Sequence, residues 1–129
     1  MEFDRKALLR AAMAAREFSY SPFSHFRVGA AILTAEGEIV TGCNIENSAY
    51  SPTLCAERCA VAKAVSEGKR RFVAIAVVGP EDSYTMPCGV CRQVLYEFCD
   101  DALIVLCGGT DTHYTETTLG ALLPNGFRL

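Results

Sequence analysis

The fold of this chain is decided by two apolar runs, FVAIAVVG (72–79) and ALIVLC (102–107). Each has the length of a β-strand, and each is apolar at successive rather than alternate positions, which predicts a strand that is buried on both faces. A sheet that is buried on both faces needs helices on both sides. The two runs therefore predict an α/β protein built as a three-layer α/β/α sandwich.

The first half of the chain supplies the other parts of this sandwich. FRVGAAILTA (26–35) and IVTGCNI (39–45) are predicted strands of one hairpin, separated by a short polar turn. Apolar residues recur at helical spacing over 3–18, and small and apolar residues dominate over 55–67. Both segments are therefore predicted helices with a buried face.

The last third of the chain carries weaker signals. A helix is expected after Pro87, an edge strand near 113–117 and a short helix near 119–123. With these elements the sheet is expected to be mixed and mostly five-stranded. Since no linker, repeat or low-complexity segment interrupts the chain, residues 1–129 are predicted to form a single domain.

Composition narrows the classes of function. Of the 129 residues, 50% are hydrophobic and 21% are charged, which is typical of a folded globular chain. The net charge of −3 disfavours binding to a nucleic-acid backbone. No apolar run approaches the roughly 20 residues that cross a bilayer, and the N-terminal segment mixes both charge signs, unlike a signal peptide. We therefore predict a cytoplasmic protein with no nucleic-acid or membrane partner.

Seven cysteines, an odd number, argue against a secreted disulfide framework and for metal binding or redox chemistry. Within PCGVC (87–91), two thiols stand three residues apart at the start of a predicted helix. Helix N-termini stabilise thiolates, so Cys88 and Cys91 can share one metal ion. On these two residues alone, a redox dithiol and half of a structural zinc knuckle remain equally open interpretations.

The segment Cys55-Ala56-Glu57 adds a third thiol at another predicted helix start. Taken singly, Cys55 is typical of a small core residue, and Glu57 of a first-turn carboxylate favoured by the helix dipole. If the two helix starts face each other, three thiolates meet, and a catalytic zinc site needs only three protein ligands. Three cysteine ligands with a glutamate that does not bind the metal are the pattern of zinc-dependent nucleobase deaminases.

At the level of whole motifs, the chain resembles the small, homotetrameric, zinc-dependent cytidine deaminases, which act on the free nucleoside. The matching stretches are YSPFSHFRVGAA (20–31), GCNIENSAY (42–50), CAERCAVAKAVSEG (55–68), PCGVCRQVLYEF (87–98) and LLPNGF (122–127). The resemblance implies a cytidine deaminase-like fold and one Zn²⁺ per subunit. It also implies hydrolysis of cytidine and 2′-deoxycytidine to uridine and 2′-deoxyuridine with release of ammonia, in pyrimidine salvage.

The resemblance also assigns the reacting groups. It implies that Cys55, Cys88 and Cys91 hold the zinc ion, which activates a water molecule for attack on C4 of cytosine. Glu57 is then the proton shuttle between that water, N3 of the base and the leaving amine. Arg58 is expected to donate hydrogen bonds to the ligand sulfurs, although a lone arginine is more often a solvated surface residue.

The remaining assignments concern the nucleoside and also rest on the resemblance. Asn44 and Glu46 are expected to bind the ribose hydroxyls, and Ile45 to contribute through its position between them. Phe26 is expected beside the pyrimidine, although an isolated phenylalanine is more often a core residue. The site is expected to be shared between subunits of the homotetramer, and its other predicted members are Ala56 through its backbone, Tyr50 from a neighbouring subunit, and Phe127 near the C-terminus.

Three rival functions remain open at this point. A deaminase of another aminopyrimidine nucleoside, such as blasticidin S, would share the zinc motif, although FRVGAA and NIEN favour cytidine. A structural zinc domain would have no turnover, but Glu57 and the missing fourth ligand argue against it. A redox protein would use Cys88 and Cys91 as a dithiol.

Overall fold

A computed structural model describes residues 2–129 and contains the mixed five-stranded sheet that the sequence predicts. Its strand order is β2-β1-β3-β4-β5; β3 and β4 run parallel, and the other neighbouring strands run antiparallel. The elements are α1 (Arg5–Arg16), β1 (Gly29–Thr34), β2 (Ile39–Cys43), α2 (Ala56–Ser66), β3 (Phe72–Val78), α3 (Gly89–Phe98), β4 (Ile104–Gly108), β5 (Tyr114–Thr118) and α4 (Leu119–Leu122).

Helices cover both faces of the sheet, which confirms the predicted three-layer sandwich. Alternate residues of β3 belong to different cores: Ala74 and Ala76 pack with α1, whereas Ile75 and Val77 pack with α2 and α3. All four side chains are fully buried. The apolar run over β3 is therefore uninterrupted because both faces of this strand are buried.

Two glycines allow helices to lie directly on the hairpin. A Cβ atom at Gly29 would fall 2.0 Å from the carbonyl oxygen of Ala12 in α1. A Cβ atom at Gly42 would fall 2.6 Å from the carbonyl oxygen of Ala56 in α2. The second contact matters for function, because it fixes the first turn of α2 against the end of β2.

The hairpin strands are shorter than the predicted ranges 26–35 and 39–45. β1 begins at Gly29 and β2 ends at Cys43, so Phe26 and Asn44 lie in loops. Beyond these strand ends, the side-chain amide of Asn44 bonds the backbone of the neighbouring segment. Its Oδ1 accepts from the backbone N–H of Val28, and its Nδ2 donates to the carbonyl of Phe26. A side chain that bonds the backbone competes with regular pairing in this way.

The helices are also slightly shorter than predicted. Helix α1 begins at Arg5 because the carboxylate of Asp4 accepts from the backbone N–H of Ala7, and it ends at Arg16 rather than at residue 18. Cys55 precedes α2 as its N-cap instead of lying within the helix.

The weakly predicted C-terminal elements are present. β4 and β5 form an antiparallel hairpin, and α4 follows directly. Across residues 2–129, no helix is both long and apolar enough to span a membrane. That residues 1–129 form one domain stays a prediction.

Candidate active site

Three thiols that are distant in sequence converge where α2 and α3 begin. Cys55 is the N-cap of α2, Cys88 is the N-cap of α3, and Cys91 lies in the first turn of α3. Their sulfur atoms all lie within 4.8 Å of one another, and those of Cys55 and Cys88 are 3.8 Å apart. Cys91 is buried, whereas Cys88 is exposed, so the cluster has an accessible side.

The local structure favours a thiolate at Cys55. Neither N-cap cysteine uses its side chain to cap its helix, so both sulfurs are free to face each other near two positive helix ends. The pKa of Cys55 is lowered to about 5, first because the Cys91 thiol donates a hydrogen bond to it and then because Arg58 does. The same shared proton, together with burial, raises the pKa of Cys91.

Arg58 brings a cation to this cluster. Its Nη2 lies 3.2 Å from Sγ of Cys55 and 3.5 Å from the carbonyl oxygen of Thr53. The hydrogen bond to Cys55 is the main cause of a raised Arg58 pKa. Its Nε is buried and has no hydrogen-bond partner among residues 2–129. This free N–H of Arg58 is therefore available to bond a second cysteine sulfur when that sulfur is a thiolate.

This set of groups fits a zinc ion. Three convergent thiolates are soft ligands of the kind that zinc prefers, and three protein ligands leave the fourth position that a catalytic zinc ion needs. The unpartnered Nε of Arg58 fits as well, because thiolates that bind a metal remain charged acceptors. Cys55, Cys88 and Cys91 thus form a cluster that could hold one zinc ion.

Glu57 is the buried acid of the site. It lies in the first turn of α2, two residues after Cys55, and only 4% of its surface is exposed. Burial, followed by the negative charge of Cys55, raises its pKa to about 7. Its carboxyl group can therefore both accept and release a proton near neutral pH.

A cleft of about 320 Å³ opens in front of Glu57. Its walls come from the loop before β1, the segment after β2, the start of α2 and the loop before α3. Seven of the predicted site residues line it, namely Phe26, Asn44, Glu46, Cys55, Ala56, Glu57 and Cys88. The volume and the mixture of apolar and polar lining are typical of a site for a small organic molecule.

Asn44 holds the first wall of the cleft together. Its Oδ1 accepts from the backbone N–H of Val28 at 2.9 Å and from the hydroxyl of Ser19. Its Nδ2 donates to the carbonyl of Phe26 at 2.7 Å, which leaves one amide hydrogen without a partner among the described residues. The loop that carries Phe26 is thus fixed by the residue predicted to bind ribose.

Glu46 binds the same loop at a second point. Its Oε1 accepts from the backbone N–H of Phe23 at 2.8 Å and of Ser24 at 3.2 Å, and its Oε2 accepts from the Ser24 hydroxyl. These bonds, that of the Ser24 hydroxyl first, lower the pKa of Glu46 below its ordinary value. Glu46 therefore remains a carboxylate near neutral pH.

Ile45 acts through its backbone. It forms an isolated bridge with Leu54, in which each residue donates its N–H to the carbonyl of the other at 2.9 Å. A parallel bridge joins it to Tyr20 on the other side. The peptide around Ile45 therefore links the loop before β1 to the residue that precedes Cys55.

Five predicted site residues are not among those that line the cleft: Ile45, Arg58 and Cys91, which are described above, and Tyr50 and Phe127. Tyr50 is 78% exposed and has a positive φ of 64°, and Phe127 is 65% exposed. The Phe127 backbone is held, because its carbonyl accepts from Nε2 of Gln93 at 3.2 Å, but its ring is free of the cleft. The assignment of Tyr50 and Phe127 to a neighbouring subunit's site stays a prediction.

The structure also adds residues that sequence reasoning missed. Thr85 and Met86 line the cleft from the loop between β3 and α3, and Ser24 binds Glu46. The loop has no periodic pattern that would reveal its inward side chains.

Comparison with known proteins agrees with this geometry. The sequence model of one protein family, described as "Cytidine and deoxycytidylate deaminase zinc-binding region", matches residues 1–107. A cytidine deaminase of Sporosarcina psychrophila is 49% identical over 96% of this chain and 91% of that protein. The chain belongs to the cytidine deaminase family. This membership confirms the resemblance and makes the chain a zinc-dependent deaminase, and so a hydrolase.

Solved structures support the fold of this cytidine deaminase family member. The crystal structure of a cytidine deaminase from Burkholderia pseudomallei superposes with a TM-score of 0.91 and 43% identity, over 97% of this chain and 100% of that one. A blasticidin-S deaminase of Bacillus cereus is more distant, at 32% identity over 75% of this chain and 74% of that protein. Family membership makes the structural-zinc and redox interpretations untenable as the main function.

Proposed function

We propose that this chain hydrolyses cytidine and 2′-deoxycytidine to uridine and 2′-deoxyuridine, releases ammonia, and serves pyrimidine salvage. One observation carries the proposal: Glu57, a buried acid with a pKa near 7, shares a nucleoside-sized cleft with Cys55 and Cys88 of the zinc site. Deamination of a cytosine ring needs a nucleophile and two proton transfers at one place. The juxtaposition of these groups meets that need.

Cys55, Cys88 and Cys91 would hold one Zn²⁺ per chain. When bound, zinc supplies Lewis acidity that makes a nucleophile available at neutral pH. Arg58 offsets part of the negative charge of the three thiolates through its contact with Cys55.

Glu57 would move the protons. Its carboxyl group would protonate N3 of the cytosine ring, which withdraws electrons from C4 and prepares that carbon for attack. The resulting carboxylate would accept a proton from the attacking water and pass it to the exocyclic amine, which leaves as ammonia. It would accept the last proton of that water as the C4 carbonyl forms. Because burial places its pKa near 7, the group holds a proton in one step and gives it up in the next. Such general acid–base catalysis contributes typically 10²–10⁴-fold.

The walls of the cleft would bind the nucleoside. The exposed face of Phe26 would stack beside the pyrimidine. The spare amide hydrogen of Asn44 and the carboxylate of Glu46 would bind ribose hydroxyls. Ala56 lies in the first turn of α2, where backbone N–H groups have no acceptor within the helix, so its N–H is available to the base.

The working enzyme is proposed to be a cytoplasmic homotetramer with shared sites. The exposed rings of Tyr50 and Phe127 support shared sites, since large aromatic side chains at exposed positions are characteristic of interfaces. All seven cysteines are unpaired, which suits a reducing compartment.

The proposed function is tested by following the ultraviolet absorbance of cytidine and 2′-deoxycytidine with purified protein while zinc is quantified in the same sample. We expect turnover of both nucleosides, release of ammonia and about one zinc ion per chain. Blasticidin S serves as the rival substrate. Faster turnover of blasticidin S, or none of cytidine in a zinc-loaded sample, would contradict the proposal.

The Glu57→Gln variant completes this test. It should lose at least the 10²–10⁴-fold contribution of general acid–base catalysis and retain its zinc. Glu67→Gln is the matched control, because Glu67 is the exposed residue that ends the same helix. Loss of zinc in Glu57→Gln would instead make Glu57 a metal ligand.

A further inference from the structure

One arginine of α3 binds two backbone carbonyls from different parts of the chain. Nε of Arg92 donates to the carbonyl of Pro87 at 2.7 Å, and its Nη1 donates to the carbonyl of Leu122 at 2.8 Å. The side chain is half-buried, and within residues 2–129 no carboxylate lies at ion-pair distance from it. Arg92 thus acts here through its forked donors rather than through a partner of opposite charge.

The first carbonyl belongs to the peptide that enters the metal site. Pro87 is fully buried, and the next residue is the zinc ligand Cys88. The backbone N–H of Arg92 also donates to the carbonyl of Cys88 at 3.0 Å. Two bonds from one residue therefore hold the carbonyls on either side of the Cys88 Cα atom, and so restrict the backbone from which the sulfur projects. The same peptide carries Met86, which lines the cleft.

The second carbonyl belongs to Leu122, the last residue of α4, which directly precedes the C-terminal tail, residues 123–129. This tail lies along α3: Gln93 donates to the carbonyl of Phe127, and Nε of Arg128 donates to the carbonyl of Tyr96. The Arg128 guanidinium also lies 4.1 Å from the centroid of the Tyr96 ring. The tail is therefore docked on the helix that carries Cys91, with Arg92 at its first attachment.

We propose that Arg92 is a positioning residue that couples the metal-ligand peptide Pro87–Cys88 to the C-terminal tail. One planar guanidinium binds both the Pro87 carbonyl and the Leu122 carbonyl, so displacement of either carbonyl moves the group that holds the other. Lysine cannot replace it fully, because its single nitrogen lacks the fixed fork of donors. The inference takes its zinc site from the proposed function, but it concerns the order of the chain rather than turnover.

The test compares two arginine variants in the full zinc-loaded protein. For each, the rate of zinc transfer to a chromogenic chelator and the amide hydrogen exchange of residues 122–128 are measured. Arg92→Gln should release zinc roughly 10–100-fold faster, as changes in groups that orient metal ligands do, and its tail amides should exchange faster. Arg128→Gln is the matched control, since it loses two carbonyl contacts at the C-terminal end of α3, those of Tyr96 and of the C-cap Cys99, but none near Pro87. It should loosen the tail and release zinc at the parent rate.

Arg92→Lys keeps the charge and provides a second variant if Arg92→Gln does not fold. Its rate of zinc release should lie between the rates of the parent and of Arg92→Gln. If Arg92→Gln does not fold, the rate of Arg92→Lys should still exceed that of the parent. Parent-like zinc release in the Arg92 variants, or equal acceleration in Arg128→Gln, would overturn the proposal, because general destabilisation would then suffice. Neither readout uses cytidine, so a parent protein that fails to turn over cytidine would refute the proposed function and leave this inference standing.

Discussion

Arg58 donates from Nη2 to the sulfur of Cys55 at 3.2 Å, three positions along the chain from the N-cap of α2 to its first turn. The contact has an electrostatic reason. Three thiolates and one divalent zinc ion leave a net charge of −1, and the guanidinium of Arg58 places a positive charge beside this cluster. Its second donor, Nε, is buried beside the cluster without a partner in the described chain.

The first prediction concerns this contact. Arg58→Ala should lower zinc affinity or deaminase activity about 10–100-fold, because a thiolate loses its hydrogen bond and the site its nearby cation. Arg58→Gln should be milder, since glutamine keeps a donor for the sulfur. Zinc affinity is measured by competition with a chelator, and activity by cytidine absorbance. Arg70→Ala is the control, because Arg70 is exposed and outside the cluster. Parent-like values for both Arg58 variants would make Arg58 a surface residue.

The second prediction separates two roles of Glu46. Glu46→Ala should lower kcat/KM for cytidine roughly 10- to 100-fold, as expected when a charged hydrogen bond worth about 1.5–3 kcal/mol is removed. Glu46 also binds the loop at Phe23 and Ser24, so the loss has a second possible cause. Ser24→Ala measures the contribution of the loop contact alone, since this variant removes the bond from the Ser24 hydroxyl and keeps the Glu46 carboxylate. Its loss should be clearly smaller. Equal losses would show that Glu46 acts only through the loop, and no loss in Glu46→Ala would remove it from the site.

The third prediction is a pH dependence of the same contact. The Ser24 hydroxyl and then the amides of Phe23 and Ser24 lower the pKa of Glu46 below its ordinary value of 4.5. A carboxylate with a lowered pKa keeps its bonds above that pKa and loses them as the pH falls through it. The amide NMR signals of Phe23 and Ser24 should therefore titrate with a midpoint below 4.5. In Ser24→Ala the midpoint should move upward. A parent midpoint above the ordinary value would contradict the hydrogen bonds described for Glu46.

The sequence was most informative where burial follows a simple pattern. The apolar runs of β3 and β4 predicted helices on both faces, and the structure confirms them. The ends of the hairpin strands were predicted less well, because beyond Gly29 and Cys43 the side-chain amide of Asn44 bonds the backbone of Val28 and Phe26. Secondary-structure propensities do not predict these two bonds, because they join Asn44 to residues 16 and 18 positions away in the chain.

A similar division holds for the site. Cysteines at two helix starts and a glutamate beside one of them predicted a cluster, and the structure brings these groups together. The Thr85–Met86 wall and the docking of the tail on α3 were not predictable, because both depend on contacts between distant segments. For example, the bond from Arg92 to the carbonyl of Leu122 joins residues 30 positions apart.

The last prediction concerns assembly. Phe127 keeps an exposed ring although its backbone is fixed by Gln93, and the ring lies outside the cleft of its own chain. A fixed backbone with a free aromatic side chain suits contact with a neighbouring copy, and closed symmetric assemblies are the common form of soluble oligomers. We therefore expect Phe127 to complete the site of another subunit in a homotetramer.

Mixing two impaired variants tests this expectation. Glu57→Gln lacks the proton shuttle and Phe127→Ala lacks the ring, so each is expected to be impaired alone. After joint unfolding and refolding with zinc, a site with an intact Glu57 can receive an intact Phe127 from a different chain. With random assembly, about one quarter of all sites regain both groups, and activity should exceed that of either variant. The control refolds each variant separately and mixes the products without exchange. A mixture no more active than its components, or an active monomer by size measurement, would show that each chain builds its site alone.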